Sequence, residues 1–153
     1  MRGALVQAAR HRVVRGGPLI VEGAVPLSRL ERGSAAWTLS PAMETGSVYA
    51  LCRCGGSSAM PFCDRQEPFG CFDEEVPTGS PPKPFAWELP DGSCPAIALK
   101  PDGPARVAGG VPVSDARSGA VVDPGARVSL CRCGASRAQP LCDGSHKVVG
   151  FRD

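Results

Sequence analysis

No stretch of the 153-residue chain stays apolar for the roughly 18 residues that cross a bilayer, and no signal-peptide core is visible. Neither a G-x-G-x-x-G fingerprint nor a nucleophile elbow is present. Histidine occurs only twice, as His11 and His146, which leaves little imidazole for acid–base work, so catalysis by this chain alone is not expected. Basic residues number 17, of which 14 are Arg, but they form no run, and against 15 acidic residues the net charge is only +2. A dedicated nucleic-acid surface is therefore not expected. Helix signals are scarce as well. The opening MRGALVQAARHRVVRG is basic without an acidic residue, as a transit peptide would be, yet it lacks serine and soon turns strand-like. The expectation is a soluble, cytoplasmic protein, with organellar import the weaker alternative.

What the chain does hold is eight cysteines. One domain or two modules of half the length fit its size, and a module near fifty residues buries too little apolar surface to be stable without a metal, disulfides or a partner. A reducing cytosol keeps thiols free, so clustered cysteines there are metal ligands sooner than disulfides. The two C-x-C pairs agree, because neither can bridge internally without strain.

Those pairs belong to a duplication. LCRCGGSSAMPFCD, residues 51–64, matches LCRCGASRAQPLCD, residues 130–143, at a constant offset of 79 (Cys131 against Cys52). Upstream, GPLIVEGAVPL from Gly17 matches GPARVAGGVPV from Gly103 at an offset of 86. Each repeat reads as a β-branched strand closed by a Gly/Pro turn, a connection, a second strand and a cysteine loop. The second strands are expected at 47–51 and 126–130, and a further strand at 34–39 is expected only in the longer first connection. The organisation is then an N-terminal segment at 1–16, a first repeat at 17–72, a Pro/Gly-rich linker at 73–102 with a short strand near 95–99, and a second repeat at 103–153. A short helical turn is expected after Pro140.

In the second loop, Cys131, Cys133, Cys142 and His146 supply three thiolates and an imidazole at C-x-C-x8-C-x3-H spacing. Such a set suits a structural zinc ion. It also suits a [2Fe-2S] cluster, with the close pair on one iron and the C-x3-H pair on the other. Spacing leaves both open.

The stretch CRCGASRAQPLCDGSH resembles the signature of the CDGSH iron-sulfur domain family, the mitoNEET-like proteins, with Ser136, Pro140, Asp143, Gly144 and Ser145 matching besides the four candidate ligands. The doubled arrangement is similar to single-chain members with two tandem repeats. The resemblance implies a [2Fe-2S] cluster on Cys131, Cys133, Cys142 and His146. It also implies a small, mainly β fold: two repeats about a pseudo-twofold axis, with a β-cap above cysteine loops that carry short helical turns. Three thiolates in place of four leave the site one negative charge short of an all-cysteine cluster, which eases reduction. Uptake of a proton by the imidazole on reduction would couple the potential to pH, at most about 59 mV per unit. Gly134 and Gly144 permit close backbone approach, while Ser136 and Asp143 are suited to capping the loop.

The first copy departs from the pattern. Carried over at the offset of 79, Cys52, Cys54 and Cys63 match, but Glu67 stands in place of the histidine and Arg65 in place of the glycine. Cys71 completes an all-cysteine set, or Glu67 ligates, or this site has lost its cluster; all three remain open at this point. Cys94 has no partner at ligand spacing and reads as a half-buried hydrophobe, His11 as a surface strand residue, and Trp37, Phe85 and Trp87 as packing. The function expected is that of a non-enzymatic [2Fe-2S] protein in electron transfer, cluster transfer or redox and pH sensing. The expected oligomeric state is a monomer that forms its own pseudo-dimer, with an unnamed redox partner or cluster acceptor and no nucleic-acid or membrane partner. A zinc-stabilised interaction module and an electron-relay subunit of an enzyme are the alternatives.

Overall fold

The computed structural model describes residues 9–32, 37–64, 95–124, 127–134, 140–142 and 150–151. Ten short strands appear among them and no helix. No helix is long and apolar enough to cross a membrane among the described residues. The helical turn expected after Pro140 falls mostly on 143–149, outside them.

The first repeat contributes β1 (Arg10–Val13), β2 (Leu19–Glu22), β3 (Leu27–Arg32), β4 (Trp37–Leu39) and β5 (Val48–Leu51). The second contributes β6 (Ala96–Leu99), β7 (Ala105–Ala108), β8 (Val113–Asp115), β9 (Val121–Asp123) and β10 (Arg127–Leu130). Two five-stranded sheets result, in the orders β5-β2-β1-β8-β9 and β10-β7-β6-β3-β4. The orders are the same once five is added to or taken from each strand number, which is the pseudo-twofold relation between the repeats.

Each repeat gives away one hairpin. Within the first sheet β1 pairs antiparallel with β2, but its other edge receives β8 in parallel, with His11 opposite Val113. In the second sheet β6 pairs antiparallel with β7 and receives β3, with Leu27 opposite Ile97. Neither repeat can complete its sheet alone, so the exchange ties the halves into one fold. The strands β1 and β6, in the N-terminal segment and the linker, extend each repeat beyond the matched sequences.

The apolar positions alternate along β2, where Leu19 and Val21 point inward, as a half-buried strand requires. Val13, Leu19, Val21, Leu51 and Val113 from one sheet share a single cluster with Leu27, Ile97, Leu99, Val107 and Leu130 from the other. Burying each such side chain contributes about 1.5–3 kcal/mol. Tyr49 extends the core toward the first cysteine loop. Its hydroxyl donates to Val25 O at 2.7 Å, its ring meets Phe62 edge-on with centroids 6.2 Å apart, and burial pushes its pKa well above the ordinary value.

Two expectations need correction. The third strand is not confined to the first connection: β9 pairs with β8 as β4 pairs with β3, because the swapped hairpin is part of the repeat. His11 is on a strand, but it is 1 % exposed rather than on the surface. It occupies the inward-facing position between Val21 and Val113, flanked in sequence by two arginines of the opposite face. Trp37 is half-buried, with Lys100 Nζ 5.6 Å and the Arg32 guanidinium 5.9 Å from its ring centre.

Candidate metal centre

Both cysteine loops leave the last residue of an edge strand, β5 in one half and β10 in the other. Cys52 N donates to Pro61 O at 2.9 Å and Cys63 N to Ala50 O at 2.9 Å, so the loop closes back on β5 with its first and third cysteines at its base. The second loop repeats this: Cys131 N donates to Pro140 O at 2.9 Å and Cys142 N to Ser129 O at 2.8 Å. Bridges between Leu51 and Phe62 and between Leu130 and Leu141 complete the two frames.

Within each C-x-C the sulfurs converge. Cys52 Sγ is 3.6 Å from Cys54 Sγ, and Cys131 Sγ is 3.7 Å from Cys133 Sγ. A tetrahedral ion that holds thiolates at about 2.3 Å separates two of them by about 3.8 Å. Each pair therefore has the bite for one metal ion. Backbone donors face the sulfurs: Gly56 N lies 3.4 Å from Cys54 Sγ and Gly134 N lies 3.3 Å from Cys131 Sγ. Such N–H groups offset thiolate charge and fix ligand orientation. The six described cysteines, Cys52, Cys54, Cys63, Cys131, Cys133 and Cys142, carry no disulfide. No group of three or more candidate ligands gathers around a metal-sized point among the described residues. The donors fit a metal through the two pairs. Cys63 and Cys142 are brought to the loop bases by their backbones.

His146, Glu67, Cys71 and Cys94 lie outside the described residues, as do Arg65, Asp143, Gly144, Ser145, Ser136, Phe85 and Trp87. The first loop shows what residues at the positions of Ser136 and Asp143 do there. Ser57 Oγ donates to Phe62 O and accepts from Ala59 N, and Asp64 Oδ2 accepts from both Ser58 N, at 3.0 Å, and Ser58 Oγ, at 2.7 Å. These are loop caps of the kind short polar side chains provide.

Sequence reasoning missed the arginine inside each C-x-C. Arg53 and Arg132 are each 2 % exposed, among the most deeply buried large side chains of the protein. Arg132 Nε donates to Gly103 O and its second guanidinium nitrogen to Lys100 O, both at 2.7 Å, while the guanidinium lies 5.2 Å from the centre of the Phe151 ring. Arg53 Nε donates to Gly17 O at 3.3 Å. Each arginine thus ties its cysteine loop to the strand turn of its own sheet. The signal was available: CRC is identical in both copies.

The two loops also touch each other. Cys54 and Cys133 form an antiparallel bridge. Gly55 and Gly134 both adopt φ of +79°, a region that disfavours any side chain, and each backs onto the other loop's cysteine. A Cβ at Gly55 would lie 2.8 Å from Cys133 O, and one at Gly134 would lie 2.8 Å from Cys54 O.

Fold and loops together define a small β protein, built as an internal pseudo-dimer around two cysteine loops suited to metal. The chain matches the family model described as iron-binding zinc finger, CDGSH type, over residues 16–66 and again over 102–147. The matches cover more than half of the chain, and the protein belongs to that family of iron-binding domains, with two tandem repeats. Comparison with curated proteins and with solved structures gives no match.

Proposed function

We propose that the protein is a [2Fe-2S] cluster protein that carries electrons, delivers its cluster or senses redox state and pH, without catalysis of its own. The observation that carries this reading is the 3.7 Å pairing of Cys131 and Cys133 sulfurs in a loop whose sequence continues into CDGSH. Cys131 and Cys133 would hold one iron, and Cys142 with His146 the other. When bound, such a cluster supplies one-electron redox chemistry at a potential raised by its histidine.

The chain's own groups support that chemistry. Gly134 N–H donates toward Cys131 Sγ, which lowers the charge density on that ligand. The buried Arg132 guanidinium holds the loop, and with it the Cys131–Cys133 pair, against the Lys100–Gly103 turn. Cys131 is buried while Cys133 and Cys142 are partly exposed, so one side of the site opens toward a partner. With both halves of the pseudo-dimer in one chain, a monomer is the working unit.

Protein purified without oxygen is to be reduced with dithionite, reoxidised, and mixed with an apo-ferredoxin. Reversible bleaching of the visible absorption supports electron carriage, and appearance of holo-ferredoxin supports cluster delivery. A colourless chain that binds zinc, and takes up no iron and sulfide on anaerobic reconstitution, overturns the reading.

A further inference from the structure

The first loop departs from the family pattern at the fourth ligand, yet its Cys54–Gly55 segment is in direct backbone contact with the second loop. We infer that this segment is the backing of the second metal site: Cys54 and Gly55 seat the Cys133 backbone, and iron retention at Cys131 and Cys133 depends on them whether or not the first loop holds metal. The inference rests on the iron-binding reading of the second loop.

Three observations carry it. The Cys54–Cys133 bridge joins the loops at a candidate ligand of each. At Gly55 the space for a side chain is taken by Cys133 O at 2.8 Å, Cys133 Cα at 3.1 Å and Cys133 C at 3.2 Å. These are backbone atoms, which cannot swing aside as a flexible side chain can. Finally, Gly134 has two tasks at once. Its N–H meets Cys131 Sγ at 3.3 Å, while its Cα position is packed against Cys54, where an added Cβ would reach Cys54 Cα at 3.0 Å. A push on the second loop from Gly55 therefore displaces Cys133 and, through the adjoining Gly134, the donor to Cys131 Sγ. Gly55 is a positioning residue, acting on the metal through Cys133.

The test compares Gly55→Ala with Gly119→Ala in the full chain. Gly119, in the β8–β9 turn, has a similar φ of +77° with nothing within 4 Å of an added Cβ, so it carries the same backbone strain without the contact. Both proteins are reconstituted with ferrous iron and sulfide, and iron loss to a chelator is followed with the melting temperature. Gly55→Ala is expected to release second-site iron about 10- to 100-fold faster than wild type, with Gly119→Ala releasing it at the wild-type rate. Release from Gly55→Ala at the wild-type rate overturns the inference. A wild-type chain that takes up no iron fails the iron-binding reading instead, so the two failures are distinct.

Should Gly55→Ala not fold, reciprocity decides, because a loop that stabilises a site must itself be stabilised when the site fills. In a Cys52→Ser/Cys54→Ser/Cys63→Ser chain, loading with ferrous iron and sulfide is expected to slow amide exchange across 51–57. Unchanged exchange there, or failure of this chain to take up iron, overturns the inference, since the coupling would then run through thiols rather than backbone.

Discussion

In the first loop the amides of Cys52 and Cys63 each bond at 2.9 Å to Pro61 O and Ala50 O, and in the second those of Cys131 and Cys142 bond at 2.9 and 2.8 Å to Pro140 O and Ser129 O. The C-x-C sulfurs stand 3.6 Å apart in one and 3.7 Å in the other. Past the third cysteine the sequences part, CDRQE against CDGSH. The loop frame is therefore independent of the fourth ligand. It is set by strand-end hydrogen bonds, a buried arginine and a shared backbone contact, and ligand chemistry is added to a frame that exists without it.

The comparison breaks most sharply at the ligands. Cys131→Ser removes a candidate ligand of the complete motif and is expected to lower bound iron by about two ions per chain, whereas Cys52→Ser is expected to leave that iron in place. Iron assay of the two purified variants checks this. Equal losses would show that the loops fill only together.

The arginines come next. Arg132→Leu removes the side-chain bonds to Gly103 O and Lys100 O, the latter keeping Gly103 N as a donor, and Arg53→Leu removes the bond to Gly17 O. Loss of hydrogen bonds to a buried charged group costs about 1.5–3 kcal/mol per bond. Urea unfolding is expected to show a loss of about 3 kcal/mol for each variant, with the same sign in both halves.

His11 is the asymmetry within the core. Its counterpart at the offset of 86 is Ile97, fully at home in the hydrophobic cluster, whereas both His11 ring nitrogens are buried without a hydrogen-bond partner. Desolvation lowers the His11 pKa from 6.5 to about 4. The unfolded chain thus gains its proton near pH 6.5 and the folded one only near 4, so stability present above pH 6.5 drains away as the pH falls to about 4. The total is about 3 kcal/mol. His11→Ile is expected to abolish this part of the acid sensitivity and to gain about 1 kcal/mol at pH 7.5 by removing an unpartnered polar group. Denaturation at pH 7.5, 6 and 5 measures both. Ile97→His is expected to import the same acid sensitivity into the other sheet.

Much of this was legible in the sequence. The offsets of 79 and 86 gave the repeats, and the strands ending at Leu51 and Leu130 stand at matching places, just before each C-x-C. Hairpin exchange was not legible, because the pairing of Leu27 with Ile97 and of Val113 with His11 joins residues far apart in the chain, and local pattern carries no record of it. β9 was missed because Val121–Asp123 is short and two of its residues are exposed. His11 was expected on the surface because it stands alone in the sequence with no partner at ligand spacing; on β1 it faces the core while Arg10 and Arg12 face the other way, an orientation its solitary position does not record. At the site, the cysteines were found by spacing, while Arg53 and Arg132 were passed over because a charged residue between ligands reads as solvent-facing until its burial is seen.

The central claim, that the CDGSH loop holds a [2Fe-2S] cluster, is tested most directly by iron and acid-labile sulfide per chain, with a visible absorption spectrum, on protein purified without oxygen. The account predicts at least about two irons and two sulfides with a coloured, reducible spectrum, and about four of each if the first loop is also filled. Colourless protein that contains zinc, and that stays free of iron and sulfide after anaerobic reconstitution, would contradict it.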